Sequence, residues 1–142
     1  MAKYNDFENE HRMVGAGGSA VDTIVSAGLD CKNMEDAIVI LHAGLATATG
    51  TLDVEIEESD DDGASDAYAS LTGAAFTQKV IADDDATYYA KIRLNVAGVK
   101  RYLRISGVVG TDTFDWGCVL IAKGGGHKPE TVNAVPTAEF DI

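Results

Sequence analysis

Apolar and polar residues alternate with a period of two along much of this chain. Leu52, Val54 and Ile56 take turns with Asp53, Glu55 and Glu57. That is the spacing of a strand with one dry and one wet face, not of a helix. The same alternation sets Tyr88, Ala90, Ile92 and Leu94 against Tyr89, Lys91, Arg93 and Asn95. It also sets Leu103, Ile105 and Val109 against Tyr102, Arg104 and Ser106. Two stretches, Ala37–Leu41 and Trp116–Ala122, are apolar on both parities. These predict central strands covered on both faces, within the fold or by a partner. Shorter strands are expected near Val21–Ser26 and Tyr68–Leu71, and Asn33–Asp36 has room for one helical turn at most.

The breaks between these segments carry turn chemistry. Asp60-Asp61-Asp62-Gly63 follows one strand and Asp83-Asp84-Asp85 precedes another. Val96–Val99 and Gly110–Thr113 are each short enough to join an antiparallel hairpin. Seven or eight short strands without a long amphipathic helix predict an all-β fold, an antiparallel β-sandwich. Residues 1–18 read as a flexible N-terminal arm ending in Gly15-Ala16-Gly17-Gly18, residues 19–123 as the β-sandwich domain, and residues 124–142 as an extended C-terminal tail holding Pro129 and Pro136. Ordering an arm costs roughly 1–2 kcal/mol of backbone entropy per residue, which contacts must recover. The apolar arm residues Tyr4, Phe7, Phe140 and Ile142 therefore predict a surface to bury them.

The 142 residues suit one domain. Eleven Lys and Arg against 23 Asp and Glu leave a net charge of −12. Such a surface repels phosphate backbones and anionic bilayers, so neither nucleic acid nor membrane is expected as a partner. The sequence holds no run of 18 apolar residues, and Met1–Gly18 lacks the apolar stretch of a secretory signal. Cys31 and Cys118 are far apart and His11, His42 and His127 are scattered, without zinc-type spacing. The cysteines are expected to pack as small hydrophobes, and a bridge between them would require their two strands to meet.

Candidate chemistry thins out on inspection. In the acidic run from Glu55 to Asp66, placing Gly63 at the glycine of a calcium loop puts Glu58, Asp60 and Asp62 at positions one, three and five. The required glutamate then falls on Ala69. A solvated turn is expected there, with adventitious calcium left open and no resident metal. There is no GxSxG and no phosphate loop. Gly15-Ala16-Gly17-Gly18-Ser19-Ala20 imitates a dinucleotide loop but lacks the strand before it and the helix after it. His42 reads as a core or edge histidine. No catalytic residue and no cofactor are expected. Trp116, Phe114 and Tyr102 are either core or a platform for stacking sugars. Trp116 shares a parity with Cys118 and Leu120, which predicts core. Lys91, Arg93, Lys100, Arg101 and Arg104 fall within one expected hairpin, with Arg93 beside Arg104 if Gly98 lies at the turn. They either pair with Asp53, Glu55 and Glu57 or present a patch to an acidic partner.

The succession Leu52-Asp53-Val54-Glu55-Ile56-Glu57-Glu58-Ser59-Asp60-Asp61-Asp62-Gly63, then Leu71–Thr77, then Lys100–Ile105 resembles the tailed-bacteriophage head decoration, or cement, proteins. The likeness spans about Met34 to Lys123. It departs in the extra acid of Asp60-Asp61-Asp62 and in Ala64–Ala67, which looks inserted. The resemblance implies a jelly-roll-like sandwich with no enzymatic activity. It implies a virion protein on the outer surface of the capsid, bridging subunits of the major capsid protein and self-associating as a homotrimer, a closed symmetry that a capsid offers. Its capsid or subunit contacts would then be drawn from Tyr4, Phe7, Arg12, Arg93, Arg101, Arg104, Phe140 and Ile142. The alternative is a carbohydrate-binding or head-fibre adhesion module built on Trp116 and the tyrosines. A hydrolase using the acidic cluster is the weakest option.

Overall fold

The computed structural model describes residues 11–94, 96, 98–124, 139, 140 and 142. Nine strands follow in chain order: β1 (His11–Gly18), β2 (Asp22–Val25), β3 (Leu29–Asp30), β4 (Met34–Ala46), β5 (Thr51–Ser59), β6 (Ala69–Ala75), β7 (Ala86–Arg93), β8 (Tyr102–Gly110) and β9 (Phe114–Gly124). They form two antiparallel sheets packed face to face, one ordered β1-β9-β4-β7 and the other β2-β8-β5-β6, with β3 also paired to β8. The expected all-β sandwich is therefore the fold. Among the described residues, the helical piece is a 3-10 turn at Ile81–Asp83, and no helix is long and apolar enough to cross a membrane.

The period-two pattern places the core. Ala37, Val39, Leu41 and Ala43 of β4 and Trp116, Cys118, Leu120 and Ala122 of β9 face inward from one sheet. Leu52, Val54 and Ile56 of β5 meet them from the other, with Leu103, Ile105 and Val109 of β8. The one gap in the β8 series is Gly107. A Cβ there would lie 2.2 Å from the Trp116 ring, so the indole occupies the space a side chain would need. Trp116 and Phe114 are thus core residues and do not form an exposed sugar platform.

Three local expectations are corrected. Residues 11–18 are not arm: they form the edge strand β1, paired with β9 from His11↔Lys123 to Gly18↔Trp116. Arg12, Val14, Ala16 and Gly18 alternate inward, and a Cβ at Gly17 would lie 2.6 Å from Trp116 O, so only glycine fits there. Residues 1–10 and 125–138 lie outside the described residues. Val96–Val99 and Gly110–Thr113 do not close hairpins either. Each carries the chain from one sheet to the other, because β7 pairs with β4, and β8 pairs with β5 while β9 pairs with β4. Met34–Asp36 opens β4 rather than a helical turn, with Asn33 left-handed at φ 64°.

The described end of the tail returns to the sandwich. Glu139 N–H donates to Tyr89 O, Lys91 N–H to Phe140 O and Arg93 N–H to Ile142 O, so this segment runs alongside β7 in the same direction. Phe140 is buried edge-on against Phe76, with ring centroids 4.9 Å apart. The Lys79 ammonium reaches both Glu139 carboxylate oxygens at 2.7 and 2.8 Å and sits 3.8 Å from the Tyr88 ring centre. Both cysteines are free and buried, and burial pushes each thiol up to about 12.

Candidate interaction surface

The two strands expected to be covered on both faces, β4 and β9, are central in their sheet but are covered on one side by the described residues. Their outward parity makes a floor of four strands. Met13, Ile121, Ile38 and Lys91 lie in one cross-strand row, and Gly15, Val119, Ile40 and Tyr89 in the next. Met13 is 64% exposed and Ile38 39%. At one end stands the row His11, Lys123, Asp36 and Arg93; at the other, Gly17, Gly117, His42 and Thr87. A contiguous apolar patch of this kind, rimmed by polar residues, is the surface signature of a docking site. A shallow depression lined by Gly15, Ile40, His42, Gly117 and Val119 lies within it.

The charges divide into two groups. Five cations are engaged inside the chain. Arg12 and Arg101 converge on Asp30, Arg101 with two hydrogen bonds of 2.8 and 2.9 Å. Lys79 holds Glu139, Lys100 holds Asp66 at 2.6 Å, and Arg104 pairs with Glu57. The Arg101 hydrogen bonds hold the Asp30 carboxyl well below its usual range. Among the described residues, Lys91, Arg93 and Lys123 make no ion pair, and all three stand on the outer face of the β1-β9-β4-β7 sheet. Lys32 is the one other described cation of this kind. The expected basic cluster is thereby broken up. Arg104 lies on β8 across from Glu57, while Arg93 lies on β7 across from Asp36, so the two are not neighbours. Arg104 has the pairing with the acidic strand face that the sequence offered as one option.

The acidic turn is more ordered than expected. The buried Ser59 hydroxyl donates to Asp66 O at 2.6 Å and accepts the Gly63 N–H at 2.8 Å. The Asp61 carboxylate accepts the N–H groups of Ser65 and Asp66, which hold its pKa down. Asp62 takes the Tyr68 hydroxyl at 2.6 Å. These carboxylates point at different donors and do not converge. Among the described residues no group of three or more His, Cys, Asp or Glu is arranged to hold a metal. A pocket of about 510 Å³ beside this turn is lined by Ser26, Gly28, Asp62, Tyr68 and Arg104. Its polar groups are already engaged: Tyr68 with Asp62, and Arg104 with Glu57 while stacked over the Tyr68 ring.

Of the contact candidates, Tyr4 and Phe7 lie outside the described residues. Arg12, Arg101 and Arg104 are in ion pairs within the chain, Phe140 is in the core, and Ile142 is half-buried beside β7. Arg93 alone of the six described candidates stands on the open face. Met13, Lys91 and Lys123 were not foreseen there. The signal was present in the two-sided hydrophobicity of β4 and β9, but assigning residues 11–18 to an arm hid the strand that completes the face. No family model matches the chain, and no curated protein matches it.

Proposed function

We propose that this chain is a non-catalytic structural protein of a tailed-bacteriophage head, which decorates and stabilises the shell by binding across major capsid protein subunits. The observation that carries the reading is the open apolar face of the β1-β9-β4-β7 sheet, a surface suited to burial against another protein subunit. The strand order supports it. With β2 and β3 counted as one interrupted strand along β8, the two sheets have the order of an eight-stranded jelly roll, an architecture shared by viral capsid and lectin domains and by cupins. Fold alone does not separate those uses. The burial of Trp116 counts against the adhesion alternative, which was built on Trp116 and the tyrosines.

The test is binding of the purified chain to expanded, undecorated shells of the phage that encodes it. The wild-type chain is expected to saturate the shells and raise their melting temperature. Ile38→Asp, which places a charge on the open face without entering the core, is expected to fold normally and bind at least tenfold more weakly. Equal binding by both chains, or none by either, overturns the reading.

A further inference from the structure

The occupant of the open face can be narrowed by size and charge. Four strands about 4.8 Å apart and four rows roughly 6.7 Å apart make a face of about 500 Å². A stable interface between two globular partners needs about 800 Å² on each side. The face alone therefore falls short of a whole globular interface and can be only part of one, whereas it suits an extended peptide. It is also the place where Lys91, Arg93 and Lys123 remain without an ion pair among the described residues, in a protein of net charge −12 whose other cations are largely paired. Asp36, between Lys123 and Arg93 in the register, and Asp115, on the outward parity of β9, offset part of that charge and leave the face net positive. Gly117 adds a separate hint. A Cβ there would meet nothing within 4 Å, so none of the described residues calls for glycine, whereas close approach of a second backbone would.

The ten residues that lead into β1 have the matching chemistry. Met1–Glu10 combines Met1, Tyr4 and Phe7 with Asp6, Glu8 and Glu10 against a single Lys3. They enter at His11, the end of the face where Lys123 and Arg93 stand. Glu8–Glu10 contains neither glycine nor proline, and Asn9 alone among them favours the reversal that folding back over the same sheet requires. We propose that Met1–Glu10 of one copy docks on the outer β1-β9-β4-β7 face of a neighbouring copy, its aromatic residues on Ile38, Ile40 and Ile121 and its acids against Lys91, Arg93 and Lys123. The inference rests on the reading of this face as an assembly surface and names its partner.

The full chain carrying benzoylphenylalanine in place of Phe7 tests this by photo-crosslinking. Mixing isotopically labelled with unlabelled copies is expected to give crosslinks between copies that map to β4 or β9, with a yield that rises with protein concentration. Lys91→Glu together with Lys123→Glu is expected to cut the yield at least tenfold while leaving the melting temperature in place. Crosslinks confined to single chains, crosslinks to the β2-β8-β5-β6 sheet, an absence of crosslinks, or a yield indifferent to the charge reversal overturns the assignment. Failure here alongside weakened shell binding by Ile38→Asp removes the peptide and keeps the assembly surface. Crosslinks at the face with undiminished shell binding remove the capsid role and keep the peptide.

Discussion

The least expected side chain is Lys79. It is a lysine with its side chain 5% exposed, held by Glu139 from the far end of the sequence and lying over the Tyr88 ring. A buried ammonium is tolerable only while paired, and removing one partner of such a pair costs about 3–5 kcal/mol. Glu139→Ala is therefore expected to lower stability by about 3 kcal/mol, read by urea denaturation. Lys79→Met strands the Glu139 carboxylate instead, which is 19% exposed and keeps the Thr77 N–H, and is expected to cost less. Equal losses for the two would mean that shape, not charge, holds the tail segment. Trp116 presents the complementary case. Its indole nitrogen is buried without a hydrogen-bond partner among the described residues, so the ring contributes through volume alone. Trp116→Ala is expected to cost about 3–5 kcal/mol through the cavity it leaves. Trp116→Phe should recover most of that, because the N–H it removes had no partner to lose. A Phe variant as unstable as the Ala variant would indicate that a water or ligand satisfies the nitrogen.

At the level of elements, the sequence was informative wherever one side chain in two is buried. β5, β7 and β8 were legible from alternation, and β4 and β9 from unbroken apolar runs. β1 was not, because Gly15-Ala16-Gly17-Gly18 has weak strand propensity and forms a strand only through its register with β9. The pairing of the strands was equally illegible. Val96–Val99 is as suitable for a corner between sheets as for a hairpin, and the choice depends on contacts distant in sequence. The open face was half legible, since the hydrophobicity of its central strands was visible but the unpaired cations around it depend on where every carboxylate ends up. The Gly107–Trp116 fit gives this scale its own test. Gly107→Val would drive a branched side chain into the indole, and overpacking of this kind costs typically about 1–3 kcal/mol or more. Pairing it with Trp116→Ala should make the double variant more stable than the sum of the two losses predicts. Strict additivity would mean that the two residues do not share that space.

For the whole molecule, acid pulls in two directions. Twelve excess negative charges repel one another, and protonating carboxylates relieves that repulsion. Against this stand carboxylates whose pKa values the fold depresses: Asp30 through its hydrogen bonds from Arg101, Asp66 through Lys100, and Asp61 through the N–H of Asp66. A group held below its unfolded value stabilises the fold at every pH above that value, and the contribution is lost as pH falls through the folded pKa. For aspartate the loss begins near pH 4. The expected profile is a melting temperature that holds or rises slightly from neutral pH to about 5, then falls steeply below about 4. Asp30→Asn separates the two effects, because it removes one depressed carboxylate and only one of the repelling charges. Its melting temperature should lie below that of the parent at neutral pH, with a gap that narrows as pH falls below about 4, where the Asp30 contribution begins to be lost. A constant gap between the two curves across that range would show that the Arg12–Asp30–Arg101 cluster adds nothing that titrates.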